Sequence, residues 1–222
     1  MRMRKKKHGA ERLEKCKAVL AKPCDFPVED ARFDFDREAP LWLEIGAGKG
    51  GFAREMAARN PDVCFYALER SADCVVLAAE EAVRTAEQRP TDNLRFVVAS
   101  ADTLAEHFAE GSIDRIYLNF SDPWSKKGYY KRRLTYRGYL TVYARLLRAG
   151  GLLRFKTDNV GLFDFTLEEL AALGYTPHIV TRDLHASCYK EGNVMTEYEA
   201  RFVGQGVPIC MLEVELRNTQ DG

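Results

Sequence analysis

The 222-residue sequence has no net charge, 33 lysines and arginines balancing 33 aspartates and glutamates. A chain-wide pull towards nucleic acid is therefore excluded, and any polyanion site has to come from local clustering. Paired cysteines are also missing. Cys16, Cys24, Cys64, Cys74, Cys188 and Cys210 are scattered, with no C-x-x-C pair and no histidine at metal-ligand spacing from two of them. This argues against a zinc site or a disulfide framework and for reduced thiols, so no metal is expected. No apolar run approaches the ~20 residues of a membrane span. The basic start MRMRKKKHGAERLEKC lacks the apolar stretch that follows in a secretory leader, so a cytoplasmic location is expected. Internal repeats and low-complexity segments are absent as well.

What is present suits a packed core: 46% hydrophobic and 30% charged residues predict one large domain, or one domain with an extension. Residues 1–40 read as a basic arm, with a short helix around Glu11 to Leu20 and a proline-punctuated stretch holding Phe26, Phe33 and Phe35. From residue 41 to 222 the pattern becomes regular. LWLEIGAG, DVCFYALER, NLRFVVAS, SIDRIYLNF and GLLRFKTD read as strands. GGFAREMAARN, SADCVVLAAEEAVRTAEQ, TYRGYLTVYARLLRAG and VGLFDFTLEELAALG read as helices, the third closed by Gly150 and Gly151. YTPHIVTRDL and PICMLEVEL suggest a closing antiparallel edge. The predicted fold is α/β, a mostly parallel sheet with helices on both faces.

Ligands of such sheets sit beyond the carboxyl ends of the strands, where strand order reverses. At the first strand end, EIGAGKGG sets glycines at 46, 48, 50 and 51 between a strand and a helix. The turn needs unusual backbone angles, and the missing side chains at Gly46 and Gly48 let a cofactor lie against the main chain. Glu69, closing the next strand, suits the two hydroxyls of an adenosine ribose. Two cofactor classes share this geometry, because Gly46, Gly48 and Gly51 also spell the dinucleotide pattern G-x-G-x-x-G. Glu44 favours S-adenosylmethionine: a negative charge there suits the cationic amino-acid end of that cofactor and is unhelpful beside a pyrophosphate.

At the fourth strand end, Pro123 stiffens the turn that presents Asp122, and Trp124 follows. A carboxylate there can hold a purine and favour the positive charge that develops when a ring nitrogen is methylated. Lys126, Lys127, Lys131, Arg132 and Arg133, interleaved with Tyr129 and Tyr130, form a candidate surface for gripping phosphates and stacking bases. The competing reading is a solvated loop. Asp158 ends a strand on the same face but also fits a helix cap. TEYEARF alternates like a strand, which would set Glu197 and Glu199 on one face as carboxylate acceptors for the N–H donors of a purine edge such as guanine's. His185 reads as structural or RNA-contacting, since methylation of a ring nitrogen leaves no proton for a general base to remove.

EIGAGKGGF, NFSDPWSKKGYYKRRLTY, FKTDN and MTEYEARF, in this order, resemble the bacterial tRNA (guanine-N7-)-methyltransferases from about Leu41 to the C-terminus. The resemblance implies a Rossmann-like methyltransferase fold and S-adenosylmethionine-dependent methylation of N7 of a guanine in the variable loop of tRNA. It implies cofactor contacts at Glu44 and Glu69, with Gly46 shaping the turn, and a joint cofactor and catalytic position at Asp122. Substrate contacts are implied at Lys126, Asp158, Thr196, Glu197, Tyr198 and Glu199. Many relatives carry an aspartate where this chain has Ser100, a place expected to hold the adenine. Ser100 or Ala101 would serve there through a hydroxyl or a backbone amide, with Asp102 as a substitute. The expected partner is tRNA, with no obligate protein partner. The alternatives are an NAD(P)-dependent oxidoreductase and a non-catalytic RNA-binding module on the same fold.

Overall fold

The structure, a computed structural model, describes residues 6–30, 32–88, 92–126 and 128–216. Lys127, one of the expected tRNA contacts, lies outside them. The chain opens with α1 (Gly9–Lys15) and α2 (Arg32–Phe35), then alternates β1 (Leu41–Ile45), α3 (Gly51–Arg59), β2 (Cys64–Glu69), α4 (Ala72–Thr85) and β3 (Leu94–Val98). A short α5 (Leu104–His107) leads to β4 (Ile113–Asn119), followed by α6 (Arg137–Leu146), β5 (Leu147–Thr157) and α7 (Val160–Ala172). β6 (Ile179–Thr181), α8 (Glu197–Val203) and β7 (Cys210–Glu215) complete it.

Among the described residues seven strands form one sheet, in the order β3-β2-β1-β4-β5-β7-β6. The first five are parallel, and β7 runs antiparallel between β5 and β6. β2 shows why the sheet is covered on both sides: Cys64, Tyr66 and Leu68 point into one core with Leu140, Tyr143 and Phe163, and Phe65 and Ala67 into another with Phe52, Val75 and Ala79. A strand buried on both faces has no polar alternation to offer. The chain runs outward from β1 to β3 and then returns to the other side of β1 as β4, so strand order reverses between β1 and β4.

The segment before β1 is tied to this body. Arg12 forks onto Glu80 of α4, its Nε donating to Oε1 and its Nη2 to Oε2, both at 2.7 Å, and Leu20 and Val28 bridge to Phe96 and Phe108. Asp34 is buried, its carboxylate accepting from the Tyr66 hydroxyl at 2.5 Å and the Lys22 amide at 2.8 Å. All six cysteines are free. One expected boundary moves: the helix expected to run to Gly150 ends at Leu146, and β5 begins at Leu147. The register between β4 and β5 shifts between Ile113 and Arg115, and the Ala149–Gly151 stretch opposite is absorbed into that irregularity.

Candidate active site

The glycine turn joins β1 to α3 across the carboxyl end of β2. Gly46 and Ala47 both donate to the Leu68 carbonyl, at 2.8 and 3.0 Å. Gly48 sits at φ +55° and a Cβ placed on it would meet nothing within 4 Å, so this part of the turn opens outward. Gly50, at φ +70°, is needed for a different reason: a Cβ there would come 2.6 Å from Phe96. Glu69 is locked beside the turn, its two oxygens accepting from the Gly48 amide at 3.0 Å and the Ser71 amide at 2.9 Å. Each oxygen keeps a second lone pair for a hydroxyl.

Glu44, at 2% exposure, lies one strand away. The Asn119 amide donates to Glu44 Oε1 at 2.9 Å, while Oε2 has no partner. Burial pushes the carboxyl from the ordinary 4.5 up to about 7, against the opposing pull of Asn119 and the Lys156 cation; Glu69 adds a smaller push upward. Of the four buried side-chain polar atoms without a hydrogen-bond partner among the described residues, three are Glu44 Oε2, Asn119 Oδ1 and Ser121 Oγ. Unpaired buried polar atoms are costly in a folded protein, so their clustering at the β1 and β4 ends marks a place built for a polar ligand. A cationic group beside Glu44 would restore its charge and satisfy its orphaned oxygen. Asn119 was missed as a site residue, although it is the first residue of the NFSDPW block.

The segment after β4 is bracketed by two residues in the left-handed region, Phe120 at φ 52° and Trp124 at φ 43°. Such angles are costly for bulky residues and persist where the surroundings hold them. Phe120 is held by its amide on the Lys156 carbonyl at 2.9 Å and by its ring stacked on Phe202 of α8. Arg133 holds the other side, its Nε donating to the Pro123 carbonyl at 2.9 Å while its guanidinium lies 4.3 Å above the Phe165 ring. Between these anchors Asp122 is exposed, and its carboxylate has no hydrogen-bond or ion-pair partner among the described residues.

The basic cluster is thereby divided. Lys126 and Lys131 are exposed, Arg132 lies over both Trp124 and Tyr129 at 5.0 and 5.1 Å, and Arg133 is part of the scaffold of the turn. A uniform phosphate-gripping surface is not what the side chains make.

Near the end of β5, Asn159 caps α7 by accepting from the Leu162 amide at 2.8 Å. The cap that Asp158 was considered for is therefore filled, and Asp158 stays half-buried beside it. Ser100 caps the single turn Ala101–Thr103, and its hydroxyl donates to Asp102 at 2.9 Å. Asp102 also accepts from the Tyr139 hydroxyl at 2.5 Å, and these two donors, Tyr139 first, hold its carboxyl below the usual range.

TEYEARF is not a strand. It forms α8, begun by a capping box in which Thr196 Oγ1 accepts from the Glu199 amide at 2.9 Å and the Glu199 carboxylate turns back to the Thr196 amide. The spacing T-x-x-E is the signature of that cap. Glu197 and Glu199 consequently part company. Glu197 is exposed, 3.7 Å from Lys49 of the glycine turn, with Tyr198 exposed next to it. Glu199 is fully buried: it accepts from Lys156 at 2.6 Å and Asn193 at 2.7 Å, and pairs with His185 at 2.9 Å. The reading of Glu199 as a direct acceptor for a guanine edge is corrected by this burial, and His185 is placed in a structural role. Lys156, at 1% exposure, was not foreseen; a lysine inside the apolar run LLRFKT was the available signal.

Among the described residues no group of three or more His, Cys, Asp or Glu is arranged to hold a metal ion. Nor is any described helix long and apolar enough to cross a membrane.

A family model described as "Putative methyltransferase" matches residues 38–212. A tRNA (guanine-N(7)-)-methyltransferase of Bacillus licheniformis is 39% identical over 98% of this chain and the whole of that protein. One of Halalkalibacterium halodurans is 40% identical over 84% of this chain and 83% of its own. Among solved structures, a 16S rRNA methyltransferase, KamB, superposes with a TM-score of 0.62 over 90% of this chain and 99% of that one, at 14% identity. That last likeness speaks for the fold alone.

Proposed function

The chain belongs to the tRNA (guanine-N(7)-)-methyltransferase family, and from that premise we propose that it transfers a methyl group from S-adenosylmethionine to N7 of a guanine in the variable loop of tRNA. The observation that carries this reading is the convergence, at the reversal of strand order, of an unsatisfied buried carboxylate with an exposed one on a strained turn.

S-adenosylmethionine supplies an electrophilic methyl on a sulfonium sulfur. Glu44 receives its cationic amino-acid end, and Ser121 and Asn119 offer their unpaired oxygens nearby. Glu69, steadied by two amides, accepts the ribose hydroxyls, and the Gly46–Gly48 turn leaves room for the main chain to approach. Ser100 and Ala101 border the adenine. The Ser100 hydroxyl is already given to Asp102, so the oxygen's lone pairs and the backbone are what remain for that contact.

Asp122 holds the base. N7 brings its own lone pair, so no general base is required, and the carboxylate's contribution is to orient the ring and favour the positive charge it acquires. Lys126, Asp158, Glu197 and Tyr198 border the nucleotide. Lys126, Lys131 and Arg132 face the phosphates, and the basic arm of residues 1–40 adds charge to the domain at 41–222. No protein partner is required, and the setting is the cytoplasm.

The two alternatives lose their support on physical grounds. A pyrophosphate would face the Glu44 carboxylate, which disfavours the nicotinamide reading. A relic binding module would have no use for an intact glycine turn and an exposed, rigidly framed Asp122. Incubation with methyl-labelled S-adenosylmethionine and unmodified tRNA tests the proposal: label in tRNA is expected, and its absence refutes the enzyme.

A further inference from the structure

The buried ammonium of Lys156 is used by nothing in the mechanism above, yet it stands between the two halves of the site. Its backbone pairs with Asn119, whose side chain reaches Glu44, so Glu44, Asn119 and Lys156 cross three adjacent strands at their carboxyl ends. Its Nζ donates to Glu199 at 2.6 Å, Asn193 at 3.0 Å and the Val194 carbonyl at 2.9 Å, and lies 5.3 Å from the centre of the Phe52 ring. Three donors meet three acceptors, with no water-facing surface left.

We propose that Lys156 is a positioning residue for methyl transfer, a buried cation that ties α8, and with it the exposed Glu197 and Tyr198, to the floor on which Glu44 receives the cofactor. The inference rests on the cofactor reading above.

Two consequences separate this role from simple packing. Glu199 faces inward, and that inward turn sets Thr196–Tyr198 beside the glycine turn, where Glu197 comes within 3.7 Å of Lys49. The same cation favours the charged form of Glu44, opposing the burial that disfavours it. The charged groups facing Glu44 are Lys156 from β5 and Glu69 from β2, with Asn119 from β4 as its neutral partner. Lys156 in turn faces Glu199 from α8 and feels Arg154 from its own strand, with His185 and Asn193 on the far side of Glu199. One side chain thus serves both the cofactor floor and the substrate rim.

A double variant, Lys156→Met with Glu199→Met, removes both buried charges and keeps their volume, an exchange that buried ion pairs commonly tolerate. Binding of S-adenosylhomocysteine is measured by calorimetry from about pH 6 to about pH 8.5, with steady-state kinetics on tRNA alongside. In the wild type, affinity rises with pH through about 7 as Glu44 becomes charged. In the double variant that rise moves to higher pH, leaving binding at pH 7 roughly two- to fivefold weaker, and KM for tRNA increases several-fold. Lys156→Arg keeps a cation: its pH midpoint stays with the wild type while KM for tRNA increases. An unmoved midpoint in the double variant overturns the proposal, as does a Lys156→Arg midpoint displaced as far as the double variant's. A wild type that binds no S-adenosylhomocysteine at any pH overturns the cofactor reading and the inference with it.

Discussion

Lys156 of β5 and Glu199 of α8, 43 residues apart in sequence, form an ion pair of 2.6 Å in which both side chains are fully buried. Removing one member of such a pair leaves an uncompensated charge in the core. Glu199→Ala is expected to cost about 3–5 kcal/mol, with loss of the capping box adding to it. Glu197→Ala, two residues away and exposed, should leave stability within about 0.5 kcal/mol of the wild type. Urea unfolding of the two variants checks the contrast.

Glu44 gives a pH dependence whose sign is opposite to that of a surface carboxylate. Its folded pKa is raised from 4.5 to about 7, so between these values the folded protein binds the proton more tightly than the unfolded chain. Stability contributed by the neutral form is fully present below 4.5 and lost as pH rises through about 7, by roughly 3 kcal/mol in total. Glu44→Gln cannot ionise and should therefore gain stability relative to the wild type between pH 5 and pH 8. The same variant should bind S-adenosylhomocysteine about tenfold or more weakly at pH 8. Thermal unfolding and calorimetry at both pH values read the two effects, and a variant that unfolds in parallel with the wild type would remove Glu44 as the buried titrating group.

Lys131 and Arg133 lie two residues apart and should fail in different ways. Lys131 is exposed and available to a phosphate, so Lys131→Ala should weaken tRNA binding across sequences and lower the salt slope by about 0.7–0.9. Arg133 is spent on the Pro123 carbonyl and the Phe165 ring. Arg133→Ala should lower kcat by loosening the Asp122 turn and leave the salt slope nearly unchanged. Filter binding over a salt series, paired with single-turnover rates, separates them.

The strands and the longer helices from Leu41 to Ala172 were legible because the strands are β-branched and aromatic runs and the helices carry periodic apolar faces, whereas the four-residue α5 between β3 and β4 is too short to show a period and was not read. The glycine turn and Glu69 were legible from their places at the strand ends. α8 was not, since seven residues hold too few repeats to separate a period of 2 from one of 3.6, and the capping box T-x-x-E had to outweigh the apparent alternation. The buried partnership of Lys156 was out of reach, because its acceptors come from residues 37 to 43 positions later. Charge alone also misplaced Arg133, whose bond to the backbone of its own loop has no signature in a basic run.

The central claim is that methyl transfer takes place over the Asp122 turn, beside a cofactor held by Glu44 and Glu69. It is tested most directly by quantifying 7-methylguanosine in tRNA after incubation with S-adenosylmethionine, for the wild type and Asp122→Ala, with S-adenosylhomocysteine binding measured on the same preparations. The wild type should accumulate 7-methylguanosine, and Asp122→Ala should lose about 100-fold or more of that rate while still binding S-adenosylhomocysteine. An Asp122→Ala protein that methylates at the wild-type rate would contradict the account.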